Sequence, residues 1–194
     1  NWPENMRKEW GNDEGATHAR EHQAQVAEEL RKVRAALDEF KPDVVIAFGD
    51  DHFENFKDDL VPAFSVLAYD KIEFKPWEKA PSNYWNEPAD KLFTVQGHKA
   101  AGKYLATKLL EQSFDIAYAY RPLHVPAGHA FRNTVMYTDW DRKGFPYPLV
   151  PFVINCYGRT LVHYSGYLGK VGEVLTEERP DPPSPSPVRC FGMG

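Results

Sequence analysis

The segment Asp43-Val-Val-Ile-Ala-Phe48 constrains the fold more than any other stretch of the chain. Five successive apolar residues leave no polar face, so a strand built from them must be covered on both sides, as in a parallel sheet. The chain reaches this strand through a long helix predicted over residues 14–40, for which Asp13 is a candidate N-cap. There Val26, Leu30, Val33, Leu37 and Phe40 recur at steps of four, three, four and three, which defines one apolar stripe. Lys41-Pro42 ends the helix, because proline biases its predecessor away from helical dihedrals.

Further elements follow the same alternation. A short strand is predicted near 63–67, a second amphipathic helix over 90–111 with Leu105 and Leu109 buried, and strands over 115–120 and 149–156. Residues 1–12 read as a polar, aromatic loop, 121–131 as a loop, and 160–178 as a Gly-punctuated hairpin. The stretch 70–91, with three prolines and the aromatics Trp77, Tyr84 and Trp85, reads as a long loop covering a pocket or a subunit interface. Alternating helices and apolar strands predict an α/β fold, with a mostly parallel central sheet and helices on its faces. Residues 1–194 are expected to form a single α/β domain. The opening on a loop and the stiff connector 180–187 give the further expectation of a fragment of a longer catalytic domain.

Charge excludes some functions. With 28 acidic and 23 basic side chains and a net charge of −5, the chain has no dense basic patch to neutralise phosphates, so nucleic acid is not an expected partner. No apolar run approaches the ~20 residues of a membrane helix, and no charged-then-apolar leader is visible, so a cytoplasmic protein is expected. Cys156 and Cys190 form neither a disulfide framework nor a zinc cluster. Phosphate-cradling glycine loops and the Gly-x-Ser-x-Gly elbow are also absent from the sequence.

Histidines past strand ends carry the remaining chemistry, because ligands of open α/β sheets collect there. His52 lies four residues past the apolar strand among Asp50, Asp51 and Glu54. It reads either as a surface histidine in a solvated acidic loop or as a metal ligand whose shell the carboxylates complete or orient. His129, between Gly128 and Ala130, has small neighbours that admit a substrate, and imidazole suits general acid–base work; a loop histidine bonded to backbone is the plainer reading. His124 either polarises a substrate group or fills the loop. His18 and His22 share a helix face, but the zincin base is absent; His98 is expected on the packing face of its helix, and His163 in a strand.

Residues 42–56, Pro-Asp-Val-Val-Ile-Ala-Phe-Gly-Asp-Asp-His-Phe-Glu-Asn-Phe, resemble the second metal-binding segment of the class III extradiol ring-cleavage dioxygenases. Gly128-His-Ala-Phe-Arg-Asn-Thr134 and residues 145–158 are similar to that family's catalytic-histidine segment and the strand after it. The likeness extends over most of the chain, and Asn1-Trp-Pro-Glu4 and Trp10-Gly-Asn-Asp-Glu-Gly15 look like the interior of such a protein.

The resemblance implies a non-haem Fe(II) site of two histidines and one carboxylate, open to a catecholate and O₂. His52 would be one histidine ligand, and His129 the histidine that takes a substrate proton and assists O–O cleavage. His124, Asn155 and Tyr157 would contact substrate or line the pocket. The other two ligands of the family lie outside the residues given, so the site is expected to be completed elsewhere, rebuilt from local residues such as Asp51 and Glu54, or dead. The implied partners are a small aromatic diol and O₂, with further copies of the chain or a partner subunit. Two competing readings are a catalytically silent binding or assembly subunit and a metal-dependent hydrolase that uses zinc.

Overall fold

The computed structural model describes residues 3–80, 83–156 and 190–193. In chain order the elements are α1 (Glu4–Trp10), α2 (Ala16–Phe40), β1 (Val44–Asp51), β2 (Phe64–Leu67), β3 (Lys71–Phe74), β4 (Phe93–Gln96), α3 (Lys99–Glu111), β5 (Ala117–Ala119), α4 (His129–Thr138), β6 (Leu149–Asn155) and β7 (Cys190–Met193). Five strands make the main sheet in the order β5-β2-β6-β1-β7, and β3 pairs with β4 in a separate ribbon. Within the main sheet β1 runs parallel to β6 and β7, and β2 parallel to β5, while β2 and β6 are antiparallel. The expected α/β architecture with a mostly parallel sheet is therefore present. The hairpin expected at 160–178, the connector at 180–187, His163 and Tyr157 lie outside the described residues.

The apolar run of β1 is explained by its two faces. Val45 and Ala47 enter one core with Leu37, Leu67, Phe131, Val135, Met136, Leu149 and Val153. Val44 and Ile46 enter the other with Phe64, Val66, Leu105, Leu109, Phe114, Val150 and Phe152. Successive side chains of a strand point to opposite faces, so a strand between two helix layers must be apolar throughout. α2 and α4 supply the first layer and α3 the second.

Several expectations need correction. Residues 4–10 are helical, with Pro3 as the N-cap and no buried side chain, so no apolar periodicity marks α1. α2 starts at Ala16 after Gly15 in a left-handed conformation; Asp13 instead accepts the Thr17 N–H at 2.9 Å. Its apolar stripe is only partly covered, since Leu37 is fully buried while Val26, Val33 and Phe40 stay 41%, 40% and 39% exposed. A helix of 25 residues outruns its neighbours, which are α1 with 7 and α4 with 10.

The stretch 70–91 is not one loop, because β3 pairs with β4 from Lys71↔Gln96 to Phe74↔Phe93. The second helix consequently begins at Lys99, and His98 caps it by accepting the Ala101 N–H at its Nδ1, at 3.1 Å, instead of packing on the helix face. The loop expected to run through Phe131 stops at Gly128, and α4 begins at His129.

The aromatic residues between β3 and β4 gather on the C-terminal end of α4. Trp85 Nε1 donates to the Trp140 carbonyl at 2.8 Å, and the Arg142 guanidinium stacks 3.7 Å from the Trp85 ring centroid. Arg142 also donates to Glu87 at 3.0 Å and to the Met136 and Asp139 carbonyls at 2.8 and 2.6 Å. A ten-residue helix is about 15 Å long. This cluster is thus a helix length away from His129 and does not cover that residue.

α4 presses on β1 where Gly49 leaves room. A Cβ at Gly49 would lie 2.7 Å from Ala130 Cβ and 2.9 Å from Phe131 Cε1, inside van der Waals contact. Gly49→Ala is therefore expected to destabilise the fold by about 1–3 kcal/mol, read as a lower urea midpoint at unchanged slope.

Glu87 supplies a pH test. Burial alone would raise its pKa, but hydrogen bonds from Lys91, Trp77 and Arg142 and the Arg142 charge outweigh burial and hold it below the ordinary 4.5. A depressed folded-state pKa gives stability that is present above the unfolded-state value and lost as pH falls through the folded-state value. Glu87→Gln should therefore flatten the loss of stability with acid below pH 4.5 in chemical denaturation across a pH series.

Candidate functional site

The polar residues that leave β1 turn sharply, and one buried carboxylate holds the turn. Asp51, 2% exposed, accepts the backbone N–H groups of Glu54 and Asn55 at one oxygen (3.1 and 2.8 Å) and that of Phe56 at the other (3.2 Å). Phe53 takes a left-handed conformation, φ 55°, to complete the reversal, which is uncommon for a bulky residue. Asp51 thereby faces three backbone donors, and among the described residues the possible metal-holding group includes Asp50 instead.

Asn55, also buried, ties this turn to the segment before α4. Its amide nitrogen donates to the Val125 carbonyl at 3.1 Å, and its Oδ1 accepts the Gly128 N–H at 2.9 Å. Gly128 is needed here, because a Cβ would sit 2.7 Å from Asn55 Oδ1 and 3.2 Å from Glu54 Oε2. This clamp brings the first residue of α4, His129, beside the end of β1.

Asp50, His52 and His129 converge there, with one donor atom of each within 4.8 Å of the others. His52 Nε2 lies 2.6 Å from Asp50 Oδ2 and His129 Nε2 lies 3.8 Å from Asp50 Oδ1. The two imidazole rings meet edge to face with centroids 5.0 Å apart. The side chains of Asp50, His52 and His129 are 46%, 45% and 38% exposed, so the cluster is open to a ligand.

Glu54 stands behind this group. Its Oε2 accepts the His129 N–H at 2.8 Å and lies 2.5 Å from His129 Nδ1, while Oε1 accepts from Arg132 Nη2 at 3.1 Å. Burial works against its charge, but the hydrogen bonds from the His129 backbone and ring and the charge of Arg132 prevail and hold its pKa below the ordinary value. The carboxylate also faces the N-terminus of α4, where the helix dipole favours negative charge.

Of the residues singled out from sequence, His52 and His129 come together. Asn155 closes β6 opposite Asp51, is buried, and donates its N–H to the Ala63 carbonyl at 3.0 Å. His124 does not join the cluster, and its Nε2 lies 3.2 Å from Asp59 Oδ2. His18 and His22 stay on the outer surface of α2, with His18 3.7 Å from Glu9. Cys156 donates its thiol to the Asp51 carbonyl at 3.1 Å; desolvation and the nearby Asp50 and Asp51 charges push its pKa up and keep it protonated. The pairing of Glu54 with His129 spans 75 positions and had no signal in the sequence beyond both residues following strand ends.

Asp50 and His52 offer a carboxylate and an imidazole, donors of the kind that non-haem Fe(II) centres use, with His129 beside them, so these residues fit such a metal. No protein-family model matches the chain. The chain is similar to proteins named 2,3-dihydroxyphenylpropionate/2,3-dihydroxicinnamic acid 1,2-dioxygenase. That of Comamonas testosteroni is 28% identical over 137 residues, 71% of this chain and 38% of that protein. The Rhodococcus globerulus protein is 28% identical over 152 residues, 78% of this chain and 43% of that protein. A third, from Pseudomonas putida, is 26% identical over 132 residues. The chain thus spans about two fifths of the length of the curated relatives it matches. These likenesses are all to proteins named as dioxygenases.

Replacing Asp51 by Ala leaves its buried backbone donors without an acceptor. The expected cost is about 1–3 kcal/mol in the urea midpoint, with faster hydrogen exchange at the Asn55 amide, which lies in the turn itself.

Proposed function

We propose that the chain is the site-bearing part of a class III extradiol dioxygenase, which opens the ring of a catechol-type aromatic with O₂. The observation that carries this reading is the convergence of Asp50, His52 and His129 at the end of β1, in a chain similar to named 1,2-dioxygenases. His52 and Asp50 are the residues that would hold Fe(II), and His129 is the acid–base group beside them. When bound, the metal supplies Lewis acidity to the diol oxygens and electrons to O₂.

The chain's own residues do the rest. His129 accepts a proton from a substrate hydroxyl at Nε2, the ring nitrogen on the Asp50 side, and returns it as the ring opens. Its place is set by the Asn55 clamp and by α4, so the base keeps its position while substrate enters. Asn155, at the end of the neighbouring parallel strand, would line the floor of the site. The substrate is a small aromatic diol of the kind in the relatives' names, and the fitting role is aromatic-compound catabolism. Among the described residues no helix is long and apolar enough to cross a membrane.

The test uses the full-length protein loaded anaerobically with Fe(II). Stoichiometric iron and O₂ uptake with a 2,3-dihydroxyphenyl substrate are expected. His129→Ala should lower turnover by about 10²-fold or more with iron content near that of the wild type. Unchanged turnover would remove His129 from the mechanism, and loss of iron together with turnover would make it a third ligand. No iron and no O₂ uptake with any catechol would leave a binding or assembly subunit. Ester or amide turnover without O₂ would point to zinc-dependent hydrolysis.

A further inference from the structure

We infer that Glu54 is a positioning residue that fixes the tautomer of His129, an assignment that rests on the acid–base role given to His129 above. One oxygen of Glu54 receives both the backbone N–H of His129, at 2.8 Å, and its ring Nδ1, at 2.5 Å. An ionised carboxylate only accepts hydrogen bonds, so the contact requires a proton on Nδ1. Arg132, one turn along α4, donates to the second oxygen at 3.1 Å and favours the ionised form. A neutral ring with its proton on Nδ1 carries a lone pair on Nε2.

Nε2 is the nitrogen that faces the cluster. It lies 3.8 Å from Asp50 Oδ1, beyond hydrogen-bond reach, so Asp50 does not hold a proton there in competition with Glu54. The His52 ring approaches from the same side at a centroid distance of 5.0 Å. Because ring and backbone of His129 bind one oxygen, the imidazole cannot turn over without breaking the contact at Nδ1. Glu54 therefore presents the basic nitrogen to a substrate hydroxyl and keeps the protonated one behind. A role confined to capping α4 would need only the bond to the backbone N–H.

The test is Glu54→Gln in the full-length protein. Glutamine has one acceptor oxygen where Glu54 has two; with that oxygen turned to Arg132, its NH2 faces His129 and donates to Nδ1, which favours the opposite tautomer. Nitrogen-15 NMR of the metal-free protein should show His129 with Nδ1 protonated in the wild type and a shift toward Nε2 protonation in the variant. With iron, kcat should fall by about 10²-fold or more while KM stays within about threefold, and Glu54→Asp should recover part of kcat. If Glu54→Gln does not fold, Glu54→Asp is read by the same two measurements against the wild type, with a smaller tautomer shift and a smaller loss of kcat expected. An unchanged tautomer in the folded variant, or an unchanged kcat in an active enzyme, overturns the assignment. A tautomer shift in a protein with no dioxygenase turnover upholds the placement by Glu54 and overturns the dioxygenase reading instead.

Discussion

The two-sided burial of β1 is the constraint on which the rest of the molecule depends. Val45 and Ala47 sit in one core and Val44 and Ile46 in the other, so helices must cover both faces of the sheet. Parallel partners, β6 and β7, flank the strand on its two edges. With both faces and both edges occupied, β1 has only its carboxyl end left for polar residues. Asp50 and Asp51 stand at that end, and the turn behind them carries His52, Glu54 and Asn55. The placement of the candidate site is thus a consequence of how the strand is buried.

Three carboxylates within five positions would repel one another if left alike, and the fold gives each a different environment. Asp51 accepts from backbone N–H groups, Glu54 meets Arg132 and the N-terminus of α4, and Asp50 lies against His52. The first two sets of partners are fixed by the backbone and by part-buried contacts. Asp50 and His52 are about half exposed and are held to each other by a side-chain contact that a cation could replace. The charge that remains exchangeable is the one at the site, which is what a metal-binding surface requires.

β1 and β6 were legible in the sequence for the same reason: burial on both faces erases polar alternation, and Leu149–Asn155 shows the same pattern as β1. Periodicity was less informative about α2. It identifies which residues share a face, but Val26, Val33 and Phe40 depend on whether a neighbour reaches them, and α4 is too short to do so. The four-residue strands β3 and β4 flank a proline- and tryptophan-rich stretch and read as loop and helix. α4 was hidden because it opens directly after the Pro126-Ala-Gly128 segment, although Phe131, Val135, Met136 and Thr138 carry a helical spacing. His52 and His129 were legible through their position after strands. What could not be read was the division of labour among Asp50, Asp51 and Glu54, since neighbouring carboxylates differ only in the partners that folding brings to them.

α4 connects these observations, because both of its ends are held by groups of the appropriate charge. Glu54 accepts the His129 N–H at its start, and Arg142 donates to the Met136 and Asp139 carbonyls at its end, with Arg34 reaching the Thr138 carbonyl. Arg142 is in turn held by Glu87 and stacked on Trp85. A helix fixed at both termini and pressed against Gly49 has little freedom to slide along the sheet. The aromatic cluster does not touch His129; it anchors the far end of the helix whose first residue is the proposed base. A weakened anchor would loosen the geometry of the imidazole while leaving its chemical neighbours unchanged.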